Sequence, residues 1–579
     1  MKSTLIGLAA ASVLALGGAA WGQTADSPRD STPFTRLTDV ERTSEQMAMR
    51  FDKADLSIKV LPDDKAIDAV AVLDFTATAP LEALVVELDT LFDIGSIQVD
   101  GVEVPADRWS NPEGRLTIHL AKPLPTGQAT QLRIAYAGQP HVAVRAPWDG
   151  GFVWSTAPTG EPWIATAVQL EGCDLFWPCI DNANAEAGRV DLHITVPSNL
   201  SAPSNGVFLG KEDHRDGWTT WNWSVKRPNI YAIALNVGPY EEVSAPYESR
   251  FGNTIPMHFW HLKSDDPAKV EALFAEFPKM LDFFEATVGP YPFGDEKMGV
   301  VETPHKGMEH QTINAYGNEF ALNGRGYDDL LQHEFAHEWF ANQLTNKNAD
   351  DMWLHEGLGS YMQPLYSYWL NGDRYMQREL ADQRAGLRNQ YPVVSRRPMT
   401  VDDVYGGEHG PGGDIYSKGS LIAHTLRMTI GDDAFFESLR RLVYGRPDPK
   451  PGNFAPVHQS TEDFERIVSG VTGQDYGWFF DAYLYQAALP VLSETRDGDR
   501  LTLEWTTGGG GAFPMPVEIE VNGQVQTVAM TGNRGTATVP VGAHVIIDPR
   551  NKILRQLDFV DAYQAWRREQ AEARRTAAH

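Results

Sequence analysis

The stretch Asp329-Leu-Leu-Gln-His333-Glu334-Phe-Ala-His337-Glu-Trp339-Phe-Ala-Asn342 decides how this chain is read. Leu330, Leu331, Phe335, Trp339 and Phe340 recur at helical spacing, so an amphipathic helix is expected here. Two histidines four apart on a helix stand one turn above each other, and both imidazoles reach one metal ion. Glu334 lies between them, beside that ion, where it can take a proton from water. His-Glu-x-x-His on a helix is a metallopeptidase pattern. A zinc site that does chemistry needs a third protein ligand and an open fourth position. Glu356 is the candidate third ligand, in Trp353-Leu-His355-Glu356-Gly357-Leu-Gly-Ser360-Tyr361, with eighteen residues between it and His337. A second helix-like run, from about 355 to 370, follows the short polar connection Thr345-Asn-Lys-Asn-Ala-Asp-Asp351. Two such helices packed antiparallel bring Glu356 beside both histidines, and one zinc ion per chain is expected.

The chain around this stretch has 579 residues, 42% of them hydrophobic, which is too long for one core and implies several domains. Residues 1–22 read as a secretory signal: Lys2, an apolar run from Leu5 to Leu16, then small residues ending Ala20-Trp21-Gly22. The run is short for a bilayer span, and no cysteine follows it to carry a lipid. An exported protein is therefore expected, in a bacterial periplasm or the medium, with no integral membrane segment after cleavage. The net charge of −28 argues against nucleic acid and anionic membranes as partners. The two cysteines, Cys173 and Cys179, lie in Glu171-Gly-Cys173-Asp-Leu-Phe-Trp-Pro178-Cys179. An oxidising compartment allows a local disulfide, and two buried thiols would read the same from sequence.

A multidomain α+β fold is expected. Residues 23–245 read as an N-terminal antiparallel β domain, with β-rich runs at 69–75, 84–88, 116–120, 132–136, 190–196 and 230–235. From about Pro267 the spacing of Val270, Leu273, Phe274, Phe277, Leu281 and Phe284 turns helical, and helices dominate the region 246–487. The Gly-rich loop Gly406-Gly-Glu-His-Gly-Pro-Gly-Gly413 interrupts them. Strand signals return over 488–554, with the turn Asn522-Gly523, and suggest a small β-sandwich. Residues 555–579 read as a terminal helix whose Phe559, Tyr563 and Trp566 stripe is expected to dock on the body.

Other motifs carry a resemblance. Gly307-Met308-Glu309-His310, about two dozen residues before His333, resembles the Gly-x-Met-Glu-Asn signature of the aminopeptidase N and leukotriene hydrolase family of zinc peptidases. Trp339 and Asn342, Trp353-Leu-His-Glu356-Gly357, Tyr416-Ser-Lys418-Gly419 and Gly289-Pro-Tyr291-Pro-Phe293 match it in order. Gln169-Leu-Glu171 and Trp177-Pro-Cys179-Ile-Asp181 match it in the β-rich region. The resemblance implies a thermolysin-like, mainly helical catalytic domain over 246–487. It also implies that Glu309 binds the α-amine of a peptide, with Gln169, Glu171, Gly307 and Met308 assisting at the substrate. A cation in a partly dry cleft needs such anionic partners. Tyr416 is implied as the donor to the developing oxyanion, and Glu334 as the base.

The chain also departs from the family. His310 stands where Asn is commonest, Lys306 where a small residue is usual, and His355 where Asn precedes the glutamate. No arginine lies between Gln169 and Pro178. His305, His310, His355 and His409 are read as loop or supporting residues rather than further ligands. About ninety residues follow the catalytic region, too few for the large helical domain that covers the site in many relatives. A more open cleft or closure by an oligomer partner is expected, and epoxide hydrolysis is disfavoured. The leading expectation is an exported zinc aminopeptidase acting on peptides with a free N-terminus. A zinc endopeptidase with an open cleft and a non-catalytic zinc-containing peptide-binding protein are the alternatives.

Overall fold

The computed structural model describes residues 34–452 and 454–577, so the expected signal segment, residues 1–22, lies outside the described residues. The first β-rich region is built on an eight-stranded sheet. Its order is Val207–Asp213, Trp218–Lys226, Arg189–Pro197, Met49–Leu61, Ala66–Ala77, Ala129–Gly138, Asp93–Val99 and Val102–Glu103. Alternation forms these strands: Ala54, Leu56, Ile58 and Val60 are buried, while Asp55, Ser57 and Lys59 face outward. Two three-stranded sheets complete the region, and Gly151–Thr156, Pro162–Ala167 and Asn236–Val237 form the one nearest the site.

Two expectations need correction here. The large sheet is not wholly antiparallel, because Met49–Leu61 and Arg189–Pro197 pair in parallel. The chain returns to that edge after a long excursion through other sheets, so no hairpin dictates its direction. Residues 230–235 are not a strand: Ile230–Ala232 form a short 3-10 turn, followed by the two-residue strand Asn236–Val237. All six residues of that run are buried, and a run buried on every side carries no periodicity to distinguish strand from turn.

A four-stranded sheet, ordered Tyr240–Glu248, Thr254–Leu262, Met298–Glu302 and Asn314–Tyr316, leads into the helical region. Ala315 on its edge strand bridges to Met308, which places Gly307–Glu309 along that edge. The apolar stripe starting at Val270 is split into two helices, Pro267–Phe274 and Phe277–Thr287, with Pro278 near the start of the second. Phe284 stacks on Trp339 at 4.7 Å, and the Trp339 indole donates to the Gly289 carbonyl. The helix below the metal centre is thereby tied to the loop that resembles the family segment.

Toward the C-terminus, two three-stranded sheets enclose Leu501, Leu503, Trp505, Val517 and Ile519. Positive φ at Asn522 and Gly523 makes the tight turn between Val517–Val521 and Gln524–Val528. The last helix, Asp558–Ala577, overturns the docking expectation. Phe559, Tyr563 and Trp566 are 71%, 47% and 53% exposed, while Gln564 donates to the carbonyls of Ala385 and Leu387. The helix rests on the body through the line of Gln564, which leaves its aromatic stripe facing solvent. Among the described residues no helix is long and apolar enough to cross a membrane.

Candidate metal centre

Local capping sets the direction of the histidine helix, Asp329–His337. Asp328 accepts from the Leu331 amide (3.1 Å) and from the Tyr316 hydroxyl (2.6 Å), which ties the helix start to the sheet edge. Leu331, Phe335 and Ala336 enter the core, and His333 and His337 occupy another face. Past His337 the backbone leaves helical geometry at Phe340 and Ala341. That break brings the Phe340 carbonyl to His337 Nδ1 at 3.0 Å. The N–H on Nδ1 donates to the carbonyl, which leaves the Nε2 lone pair for a metal.

Glu356 comes from the helix Trp353–Asn371. His333 Nε2 and His337 Nε2 are 3.0 Å apart, and each lies 3.4 Å from Glu356 Oε2. Tetrahedral zinc with bonds of ~2.0–2.1 Å places its ligand atoms about 3.3 Å apart. The three donors therefore fit a zinc ion. Glu356 Oε2 is buried and has no hydrogen bond among the described residues, whereas Oε1 accepts from the Tyr405 hydroxyl at 2.5 Å. Tyr405 escaped the sequence reading because a tyrosine ahead of a Gly-rich loop carries no spacing relation to a ligand.

Gly357 and Gly419 explain two of the motifs. A Cβ on Gly357 would lie 2.9 Å from Gly419 Cα, so the helices Trp353–Asn371 and Asp414–Ile430 touch backbone to backbone there. This contact carries Tyr416 to the metal centre, with its ring 6.0 Å from that of His333. Burial and the charges of Glu356 and Glu309 push its phenol well above the usual range, so it remains a donor. Lys418, in the same motif, donates to the carbonyls of Gln486 and Ala487 and so holds the end of the helical region.

Glu309 Oε1 accepts from Gln169 (2.6 Å) and from the Tyr231 hydroxyl (2.8 Å), and Asn342 donates to its carbonyl. Glu309, Glu334 and His337 each bring a ligand atom within 4.8 Å of the others. Tyr231 was missed because it sits in the turn misread as strand. Gly307 contributes by lacking a side chain, since a Cβ there would fall 2.1 Å from Glu334 Oε1. Met308 is buried in the core of the β-rich region and reaches Ala315 through its backbone. Glu171 is half-buried and faces His141 at 3.5 Å; among the described residues no contact joins it to Glu309. Burial, Asp149 and Asp402 push Glu171 up to about 7.

The electrostatics favour a cation. Burial alone would lower His337, yet the charges of Glu309 and Glu356 outweigh it and raise the imidazole to about 10. Glu309 and Glu334 are themselves pushed upward by burial. Three carboxylates converging on buried imidazoles are the surroundings a divalent ion neutralises.

The remaining histidines stand outside the ligand group. His355 Nε2 accepts from the Asn346 amide, His409 is exposed, and buried His310 is pushed down to about 3 by burial and neighbouring His305. Cys173 and Cys179 form a disulfide, which settles the alternative left open above. Glu87, Asp174 and Asp181 are buried beside it; burial pushes all three upward, Asp181 to about 8.

Residues 274–483 match the peptidase family M1 domain. This stretch carries the features of that domain, and His333, His337, Glu356 and Glu309 all lie within it. It is 27% identical over 301 residues to aminopeptidase B of Rattus norvegicus, covering 49% of this chain and 43% of that protein. It is 23% identical over 486 residues to aminopeptidase M1-B of Oryza sativa subsp. japonica, covering 78% and 52%. The chain thus spans about half the length of the curated relatives it matches. Among solved structures, an M1 zinc metallopeptidase from Deinococcus radiodurans, bound to Tyr-Ser-Ala, superposes with a TM-score of 0.64 at 23% identity. That match covers 78% of this chain and 98% of the other, and shows that the fold is shared.

Proposed function

We propose that this protein is an exported aminopeptidase that removes the N-terminal residue of peptides. One observation carries the reading: buried Glu309, polarised by Gln169 and Tyr231, stands within 4.8 Å of Glu334 and the His337 ligand atom. A carboxylate so close to the metal centre leaves room for one residue between an anchored ammonium and the scissile carbonyl. His333, His337 and Glu356 hold zinc, which when bound supplies Lewis-acid polarisation of water and carbonyl.

The other roles belong to the chain. Glu309 binds the α-ammonium through a charge-assisted contact, helped by Gln169, which orients the carboxylate. Gly307 keeps the space beside Glu334 open. Glu334 presents a buried oxygen with no hydrogen bond among the described residues, accepts the proton of the attacking water and returns it to the leaving amine. Tyr416 donates to the developing oxyanion. Glu171, two residues from Gln169 and beside His141, keeps the assisting role at the substrate that the family motif implies. The Tyr-Ser-Ala bound by the Deinococcus relative supports peptides as the substrate class.

Comparing a free peptide with its N-acetylated twin tests the function. The free form is expected to be cleaved from its N-terminus and the acetylated form spared. Equal cleavage of both would establish an endopeptidase instead. Export rests on the signal-like residues 1–22 and on the Cys173–Cys179 disulfide, which suits an oxidising compartment. Protein recovered from the periplasm or medium is expected to begin at Gln23, and intact retention in the cytoplasm would refute export.

A further inference from the structure

The cavity beside the metal centre holds a charge that the proposed chemistry does not use. A cavity of about 500 Å³ opens beside His333 and Tyr416, and Lys306, Arg325, Asp329 and Glu379 also line it. Arg325 is already matched, by Glu379 and Asp382, each at 3.2 Å. Asp329 lies in the first turn of the histidine helix, where the helix N-terminus stabilises it. Lys306 is different. Its side chain is exposed and makes no ion pair or hydrogen bond among the described residues.

The backbone at Lys306 is held firmly. His305 Nδ1 donates to the Lys306 carbonyl at 2.6 Å, and burial pushes His305 down to about 4, which keeps the ring neutral. Thr303 donates to the His305 carbonyl, and Gly307 follows with the Glu334 carboxylate packed against it. A flexible ammonium is thus mounted one residue from the glycine that faces Glu334, on the wall of a cavity shared with His333 and Tyr416.

We propose that Lys306 recognises the C-terminal carboxylate of short peptides, which makes free-acid di- and tripeptides the favoured substrate class. The inference rests on the aminopeptidase reading above. An extended residue spans ~3.4 Å, so the carboxylate of a tripeptide lies about 7 Å beyond the scissile bond, within reach of a lysine on this wall. In a longer peptide the carboxylate falls outside the cavity, and the pairing is lost.

The test measures kcat and KM for a tripeptide as free acid and as C-terminal amide, with an aminoacyl arylamide as a carboxylate-free reference. Wild type, Lys306→Ala and Lys306→Arg are compared. A solvent-exposed pair is worth little, so the wild type is expected to prefer the acid by ~3- to 5-fold, expressed in KM. That preference should vanish in Lys306→Ala, persist in Lys306→Arg and shrink as salt is raised. Arylamide turnover with no preference for the acid, a preference that survives Lys306→Ala, or a preference for the amide would each overturn the inference alone. Absence of arylamide turnover in the wild type would overturn the aminopeptidase reading, and the inference with it.

Discussion

Glu334→Gln is expected to lower kcat on an aminoacyl arylamide by about 10²–10⁴-fold, the usual contribution of a positioned base. The purified variant should still carry one zinc per chain, because Glu334 is not among the three donors that lie 3.0–3.4 Å apart. Stability should not fall either. Glu309, Glu334 and Glu356 crowd one buried site, and burial together with the other two charges already pushes Glu334 well above the usual carboxylate range. An isosteric amide replaces a carboxyl whose ionisation is disfavoured there and fills the same space. Steady-state kinetics, metal analysis and thermal melting together check the prediction. Turnover near the wild-type rate would show that another group takes the proton.

Glu309→Gln is expected to cost about 10²-fold in kcat/KM for substrates with a free amine. Truncating one side of a desolvated charge pair commonly costs ~2–5 kcal/mol. The diagnostic reading is the ratio of free to N-acetylated substrate, which should collapse toward one in the variant. Glutamine keeps the volume and one carbonyl oxygen, so Gln169 and Tyr231 retain an acceptor and the fold is undisturbed. A ratio unchanged from wild type would remove Glu309 from amine recognition, whatever the loss in rate.

Much of this site was legible before any coordinates. His333 and His337 share a helix, where a separation of four residues fixes their relation through helical geometry alone. Glu356 could be named because it lies at the start of a second periodic run, and Tyr416 because Tyr-x-Lys-Gly accompanies the family's other motifs. Tyr405 and Tyr231 were not legible. Each meets its carboxylate across a long stretch of sequence, Tyr405 at Glu356 and Tyr231 at Glu309, and no local period encodes that meeting. Gln169 and Glu171 show the same limit from the other side. Two residues apart in one motif, they diverge in space, one to Glu309 and the other to His141. The stripe on the last helix was legible as a stripe, but its direction was not. Periodicity shows that Phe559, Tyr563 and Trp566 share a face, and cannot show what that face meets.

By itself, then, the sequence determined the local pattern: the candidate zinc donors on their helices, a glutamate between them, a family-like signature carrying Glu309, and alternating strands on either side of a helical middle. Each of these depends on interactions within a few residues, where backbone geometry fixes the outcome. Tertiary structure alone decided how the pieces converge. It set Gly357 against Gly419 so that Tyr416 reaches the candidate metal centre, turned one Glu356 oxygen to Tyr405 and the other to His333 and His337, and cleared the space at Gly307 beside Glu334. It also joined Cys173 to Cys179 and left the Lys306 side chain without an ion pair among the described residues on the cavity wall. These are close approaches between distant segments, set by how whole helices and sheets pack, and no window of sequence contains both partners.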